Sequence, residues 1–415
     1  MPENSSSPEF PFPGSSWRGP APHSARLLAE CPVARVPVAG GGHAWIVSRH
    51  EDVRAALEDP RLSRAACYLP GAVRFSGFFQ APPGMIISVD PPEHTRLRDF
   101  AEQALTPARV AALRPRIERA AGELADSLLE HGAPADLAAG YAAPLALRTI
   151  CELLGVPAED RAVFDGWVRQ MADVTRPEAA AQAQRQLDGY MTKLIDAKRD
   201  DPGDDVLSAL ITARRGADAL DGGELVVFGY TLLGAGYDST ASQIANCVLA
   251  LLSDHREAWR RLGADPGAAG PIVEELLRAV NLNATDTSGL HRIATQDVAI
   301  GGAVIPTGEA VFLGLTCANR DPEVFAQPQR LDFGRFPSGG LPAAQGGHLA
   351  FGHGPHSCLG APLARLELAV ALSTLARRFP ELRLAVPVGQ LRWRTGEVNH
   401  GLAALPVTGL DDASR

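Results

Sequence analysis

The sequence lacks any close pair of cysteines. Its 415 residues include six cysteines, and none of them forms a C-x-x-C pair. The six are Cys31, Cys67, Cys151, Cys247, Cys317 and Cys358. A disulfide framework is not predicted, because such frameworks are typical of short secreted chains with clustered cysteines. The pattern predicts a reducing compartment and therefore a cytoplasmic location.

The sequence also lacks an excess of positive charge. Lys plus Arg number 39 and Asp plus Glu number 48, which gives a formal net charge of −9. Because phosphate contacts need a basic face, nucleic acid is not expected as a partner. The N-terminus has no basic region followed by an apolar run, so neither a signal peptide nor a membrane anchor is predicted. We expect a flexible tail over residues 1–12 and a single domain over residues 13–410, working as a monomer.

Internal repeats, low-complexity linkers, a Walker-type loop, a G-x-G-x-x-G after a strand and a G-x-S-x-G elbow are all absent. What the sequence does contain is helical periodicity, for example over residues 106–132 and 179–200. Strand-like runs cluster over residues 34–48 and 297–315, and a Gly-Gly turn joins two apolar runs in the second stretch. The predicted fold class is mainly α, with a small β-rich part.

One helix-compatible stretch of roughly thirty residues starts at Asp221. Its length and apolar character would suit a membrane span. Polar side chains such as Asp238, Gln243 and Asn246 interrupt it, however, and such groups are costly in a bilayer. The stretch therefore predicts a buried central helix.

The most informative stretch is FGHGPHSCLGAPLARLE, residues 351–367. Gly352 and Gly354 permit a tight turn, and a helix starting near Gly360 brings the positive end of its dipole. Both features stabilise a thiolate. On these grounds Cys358 is an iron ligand, a nucleophile or a buried inert thiol. The nearby histidines would suggest zinc, but no second cysteine lies close by and zinc leaves the glycine spacing unexplained.

This stretch resembles the haem-binding loop of the cytochrome P450 family. The matching residues are Phe351, Gly352, Gly354, His356, Cys358, Gly360 and Ala364. The resemblance extends from about residue 12 to residue 407, and it implies the mainly helical P450 fold. It implies that Cys358 ligates the iron of haem b, between the long central helix and the helix after Cys358. Thiolate donation favours cleavage of the O–O bond of bound oxygen.

Glu275 and Arg278 stand at i and i+3, so they can pair on one helix face. A solvated surface pair of little energetic value is the simple interpretation. The resemblance implies instead a buried structural pair, joined by Arg335.

Two glycines interrupt the centre of the long helix, in Gly234-Ala235-Gly236-Tyr237-Asp238-Ser239-Thr240. Each glycine costs about 1 kcal/mol relative to alanine. Close packing against another helix would explain them. The resemblance implies instead that Ala235 and Gly236 lie over the haem and that Asp238 is a proton-relay acid. Ser239 then stands where threonine is usual and is favoured as the relay hydroxyl; Thr240 is the alternative.

His94 and Arg98 lie at i and i+4 on one face of a predicted helix. From spacing alone they form an exposed basic pair. The resemblance implies that they bind the haem propionates, together with Arg292 and His356.

The implied reaction inserts an oxygen atom from O2 into a small organic substrate. Electrons are expected from a ferredoxin-type donor, docking near Arg365. Two alternatives are an enzyme of oxidative coupling, which joins aromatic rings or peptides, and a non-catalytic haem sensor, which an acid next to a hydroxyl disfavours. The sequence suggests a mid-sized natural product as substrate, such as a polyketide, terpenoid or small peptide. The candidate pocket residues are Phe78, Phe79, Leu282, Asn283 and Asn399, with Asn281, Thr285 and Asp286 as further polar anchors.

Overall fold

Helices dominate the structure, as the apolar periodicity predicts. The computed structural model describes residues 8–39, 41–72, 81, 84–172, 176–215, 217–287, 290–336 and 347–411. The helices are α1 (Pro22–Glu30), α2 (His50–Glu58), α3 (Glu93–Ala104), α4 (Pro107–Ala112), α5 (Arg114–His131), α6 (Ala143–Leu154), α7 (Arg161–Ala172), α8 (Pro177–Asp200), α9 (Val206–Thr212), α10 (Gly222–Asp254), α11 (Arg256–Ala264), α12 (Ala269–Ala279), α13 (Leu315–Ala318) and α14 (Ala361–Arg378).

The strands are short. Five of them lie in or at the edge of the predicted stretches 34–48 and 297–315, and five lie outside these stretches. In chain order, the strands are β1 (Val33–Pro37), β2 (His43–Val47), β3 (Leu62–Ser63), β4 (Ala135–Asp136), β5 (Arg292–Ala294), β6 (Val298–Ile300), β7 (Ala303–Ile305), β8 (Ala310–Leu313), β9 (Arg383–Leu384) and β10 (Pro406–Thr408). The predicted Gly-Gly turn is present, because Gly301 and Gly302 join β6 to β7 with φ of +55° and +81°.

The chain forms two compact units, each assembled from separated segments. The first unit comprises residues 1–96, 277–331 and 341–358, and the second comprises residues 97–276, 332–340 and 359–415. The single domain expected over residues 13–410 stays a prediction.

The first unit contains a five-stranded sheet in the order β1-β2-β8-β5-β3. β1 and β2 form an antiparallel hairpin, and β2 also pairs with β8 in parallel. Phe10 and Phe12 are buried against this sheet, and the Phe10 ring lies 5.0 Å from that of Phe312. Both phenylalanines fall in the stretch 1–12 for which the sequence suggests a flexible tail. The packed part of the chain therefore includes Phe10.

The second unit is built around α10, which packs against α6, α8 and α14. An N-terminal capping box fixes where α10 begins: Asp221 accepts from the Glu224 N–H, and the Glu224 side chain accepts from the Asp221 N–H. Most residues from Thr240 to Leu252 are buried, as predicted for a central helix. Within the described ranges, no helix has the length and apolarity needed to cross a membrane.

Candidate functional site

The loop before Cys358 is a pair of tight turns in the first unit. The Gly352 N–H donates to the Leu349 carbonyl and the Ser357 N–H donates to the Gly354 carbonyl, both at 3.0 Å. Gly352 and Gly354 both adopt φ of +68°, which side-chain-bearing residues rarely reach. A Cβ at Gly354 would also lie 2.9 Å from the Leu57 carbonyl oxygen. These glycines therefore shape the loop that presents Cys358.

Cys358 is exposed at the end of this loop, whereas four of the other cysteines are buried. Burial raises the pKa of Cys151 to about 12 and also raises the pKa values of Cys67, Cys247 and Cys317. Those thiols stay protonated at neutral pH and are poor metal ligands. Only Cys31 shares the exposure of Cys358. Along the chain, α14 begins at Ala361, directly after Gly360 as the sequence predicts.

Two predicted cofactor-binding histidines of the first unit lie together. The ring centroids of His94 and His356 are 4.2 Å apart, and His94 is buried. Arg98, which belongs to the second unit, donates from Nε to Glu102 at 2.7 Å, one turn further along α3. The shared propionate role of His94, Arg98 and His356 stays a prediction.

Arg292, another predicted propionate ligand, is buried next to Arg64. Burial, and after it the charge of Arg64, lower the pKa of Arg292 to about 10. Asp90 is the acid of this cluster: its carboxylate accepts from the Ser63 hydroxyl and from the Arg64 N–H. Two buried guanidinium groups therefore accompany one carboxylate. A buried excess of positive charge is stabilised by a further anion, such as a carboxylate of a ligand.

In the second unit, α10 presents three different faces at its centre. The first carries Ala235 and Ser239: Ala235 is exposed, and the Ser239 hydroxyl donates to the Ala235 carbonyl at 2.6 Å. The second carries Gly236 and Thr240 and is turned toward α6, because a Cβ at Gly236 would lie 2.7 Å from Ile150 Cδ1. Thr240 is buried. Close packing therefore explains Gly236, while a Cβ at Gly234 would meet open space.

The third face carries Asp238, whose two oxygens are both occupied. Arg394 Nη2 donates to Oδ1 at 2.8 Å, and Asn399 Nδ2 donates to Oδ2 at 2.9 Å. Asn399 is predicted from the sequence as a pocket residue, and here it contacts the predicted relay acid. Arg394 is not singled out by the sequence, because no local pattern connects it with Asp238, 156 positions earlier.

Three comparisons with known proteins identify the same family. A family model described as Cytochrome P450 matches residues 271–384. Nocardicin C N-oxygenase of Nocardia uniformis subsp. tsuyamanensis is 43% identical over 390 residues, covering 93% of this chain and 95% of that protein. Mycinamicin IV hydroxylase/epoxidase of Micromonospora griseorubida is 42% identical over 379 residues, covering 91% of this chain and 92% of that protein.

A solved structure has the same fold. The LnmA cytochrome P450 hydroxylase from the leinamycin biosynthetic pathway of Streptomyces atroolivaceus superimposes with a TM-score of 0.88 at 41% identity. The match covers 97% of this chain and all of that one. The chain belongs to the cytochrome P450 family.

Membership makes this cytochrome P450 a haem-thiolate enzyme, with a cysteine as ligand of the haem iron. It is a monooxygenase that uses O2, a small-molecule substrate and a redox partner. The relatives are named as oxygenases and hydroxylases, which disfavours the non-catalytic haem sensor. The residues fit haem: an exposed cysteine stands on a glycine-shaped loop, and a buried cationic cluster suits carboxylates. Among the residues described, no group of three His, Cys, Asp or Glu side chains is arranged to hold a metal ion.

The predicted contact between Glu275 and Arg335 is present in the second unit. Arg335 Nε lies 3.1 Å from Glu275 Oε2, and the Asp332 N–H donates to Glu275 Oε1 at 2.8 Å. In the first unit, Arg278 donates to the carbonyl oxygens of Asn319, Pro328 and Arg330. Glu275 and Arg278 are almost completely buried, which excludes the solvated surface pair.

Two of the polar anchors suggested for substrate have structural contacts instead. The Asp286 carboxylate accepts from the Ser24 hydroxyl at 2.7 Å and from the Ala21 N–H at 2.8 Å. Asn281 accepts from Thr316 Oγ1 at 2.8 Å and donates to the Ser16 carbonyl at 3.2 Å. Both therefore attach residues 16–24 to the rest of the first unit. The local sequence does not reveal this role.

The other pocket candidates have mixed outcomes. Leu282 and Asn283 are half-buried, so they stay candidates. Phe78 and Phe79 lie outside the described residues.

Proposed function

We propose that Cys358 is the iron ligand and that this cytochrome P450 oxygenates a mid-sized natural product. The observation that supports the ligand assignment is the exposure of Cys358 on its glycine-shaped loop, while four other thiols are buried. His94, Arg292 and His356, with Arg98 of the second unit, are the proposed propionate ligands. Haem, when bound, activates O2, and the thiolate favours cleavage of the O–O bond.

Proton delivery is assigned to Asp238 and Ser239. Oxygen activation consumes protons, so a relay must supply them in a pocket that excludes water. Ser239 is favoured over Thr240 because it lies on the same face as the exposed Ala235, whereas Thr240 is buried on the face turned toward α6. The Ser239 hydroxyl donates a hydrogen bond to the Ala235 carbonyl, so the lone pairs of Oγ can accept a further hydrogen bond.

The substrate class is supported by the names of the relatives, among them nocardicin C N-oxygenase and mycinamicin IV hydroxylase/epoxidase. Oxidative coupling is the alternative reaction of the same site. Product analysis distinguishes coupling from oxygenation. A ferredoxin-type electron donor, a monomeric state and a cytoplasmic location complete the proposal.

Two measurements test this proposal. The first is optical titration of the ferric holoenzyme with nocardicin C, mycinamicin IV and vitamin D3, the compounds in three relatives' names. A low- to high-spin shift identifies the class of molecule that binds, and mass analysis of the product then distinguishes added oxygen from coupling. Products that gain no oxygen atom would contradict oxygenation.

The second measurement compares Cys358→Ser with Cys31→Ser, which removes the other exposed thiol. We expect Cys358→Ser to abolish the thiolate-type spectrum of the reduced, carbon monoxide-treated protein and Cys31→Ser to retain it. A thiolate-type spectrum in Cys358→Ser would exclude Cys358 as the ligand.

A further inference from the structure

The C-terminal segment 392–403 forms a closed loop against α10 in the second unit. Within it, the Arg394 N–H donates to the Gly401 carbonyl at 2.8 Å, and the Ala403 N–H donates to the Arg392 carbonyl at 2.9 Å. Trp393 and Leu402 form an antiparallel bridge between these two bonds. The segment therefore has its own backbone closure and acts as one piece.

The loop contacts one face of α10 at three successive turns. Asp238, Ser242 and Asn246 stand at i, i+4 and i+8, so they share that face. Arg394 Nη2 lies 2.8 Å from both Asp238 Oδ1 and Ser242 Oγ, and Asn246 Nδ2 donates to the His400 carbonyl at 2.7 Å. The sequence shows that these three positions are polar, but it does not show which residues contact them.

Asp238 is fixed from both ends of its carboxylate by this loop. Oδ1 accepts from Arg394 and Oδ2 accepts from Asn399, which determines both the rotamer and the tilt of the group. Arg394 Nε is also 3.1 Å from Glu397 Oε2. One guanidinium therefore forms ion pairs with two carboxylates, those of Asp238 and Glu397, and both are mostly buried. Without this guanidinium, two negative charges would share a poorly solvated site.

Gly401 makes room for this guanidinium. A Cβ at position 401 would collide with Nη2, Nε and Cζ of Arg394. These atoms are the far end of a flexible side chain, so a methyl group there would displace the guanidinium rather than the backbone. Gly401→Ala therefore moves Arg394 without changing any charge.

We propose that Arg394 is a positioning residue for the proton-relay carboxylate of Asp238, with Asn399 as its neutral counterpart on the second oxygen. This inference rests on the relay role proposed for Asp238. Loss of Arg394 releases the carboxylate from its fixed orientation, and proton delivery becomes slower and limits turnover.

The first test measures the contact itself by hydrogen–deuterium exchange of peptide 392–403 in the holoenzyme. Arg394→Gln, Gly401→Ala and Asp238→Asn are each expected to speed exchange about tenfold, because one charge-assisted hydrogen bond no longer closes the loop. Arg392→Gln is the matched control, since Arg392 is exposed in the same segment and loses the same charge. Unchanged exchange in Arg394→Gln and Gly401→Ala would contradict the proposal.

The second test measures turnover in H2O and D2O, with electrons supplied from NADPH through an added ferredoxin and ferredoxin reductase, and with the compound that gives the largest spin shift among nocardicin C, mycinamicin IV and vitamin D3. Asp238→Asn is expected to slow turnover about a hundredfold and Arg394→Gln about tenfold, both with a larger solvent isotope effect. Arg394→Lys keeps a cation but loses the planar donor, so we expect partial recovery. The double variant Asp238→Asn/Arg394→Gln should be no slower than Asp238→Asn alone.

The outcomes separate the two proposals. Wild-type turnover and isotope effect in Asp238→Asn would exclude the relay role itself. A slow Asp238→Asn beside wild-type behaviour of Arg394→Gln and Gly401→Ala would leave the relay intact and exclude positioning by Arg394. Additive losses in the double variant would show that Arg394 acts elsewhere.

Discussion

The Ser239 hydroxyl donates to the Ala235 carbonyl at 2.6 Å, on the face of α10 where Ala235 is exposed. The resemblance to the family places serine here where threonine is usual. Hydrogen bonding to the carbonyl four residues earlier restrains the side chain, which otherwise lacks the methyl group that fixes the threonine rotamer. The proposed relay residue therefore has a hydroxyl with one defined hydrogen bond.

Ser239→Ala is expected to uncouple electron use from product formation, because the proposed relay loses its hydroxyl. Thr240→Ala is the matched control and should keep wild-type coupling, since Thr240 is buried on the face turned toward α6. The measurement is the ratio of product to NADPH consumed, with hydrogen peroxide measured in parallel. If Thr240→Ala were uncoupled and Ser239→Ala kept wild-type coupling, the relay role would belong to Thr240.

Arg335→Ala is expected to lower the free energy of unfolding by about 3–5 kcal/mol, because it removes a cation that contacts the buried Glu275 carboxylate. Arg35→Ala is the control, since the Arg35–Glu309 pair is more exposed and should contribute at most about 1 kcal/mol. Urea unfolding of both variants measures the difference. If both variants lost the same free energy of unfolding, burial of Glu275 would not determine how much its ion pair with Arg335 contributes to stability.

Glu367→Gln should change how stability depends on pH. Burial raises the pKa of Glu367 to about 8. The folded protein therefore retains a proton that the unfolded chain loses near its ordinary value. Stability from this group is complete below about pH 4 and is lost as the pH rises toward 8.

The glutamine variant has no such loss. The difference between its free energy of unfolding and that of the wild type should therefore increase, in favour of the variant, between about pH 5 and pH 8. Above about pH 8 the difference should level off. Urea unfolding at several pH values measures it, and parallel curves for the two proteins would show that Glu367 is ionised in the folded state.

Arg365 is paired with Glu274, at 2.6 and 3.2 Å, so its charge is partly neutralised within the second unit. If a ferredoxin docks near Arg365, Arg365→Glu should slow reduction by the ferredoxin and weaken its salt dependence. Glu274→Gln keeps the arginine, removes the competing acid and should speed reduction at low salt. Stopped-flow reduction rates measure both variants, and unchanged rates would exclude docking at this position.

The sequence by itself determined the features that depend on near neighbours in the chain. The glycines around Cys358 and the Gly301-Gly302 turn act within a few residues, so their patterns are visible locally. The 3.6-residue period likewise indicates α10, because it depends only on the order of apolar and polar residues along the chain.

Only the tertiary structure decided which distant groups meet. Arg394 and Asn399 contact Asp238 across more than 150 positions, and Asp286 attaches Ser24 and Ala21 across more than 260. Asn281 and Asp286 look like pocket residues in sequence, because a polar side chain does not reveal its partner. Such contacts follow from how helices and loops pack, since a side chain's hydrogen bonds depend on what the fold places within about 3 Å of it.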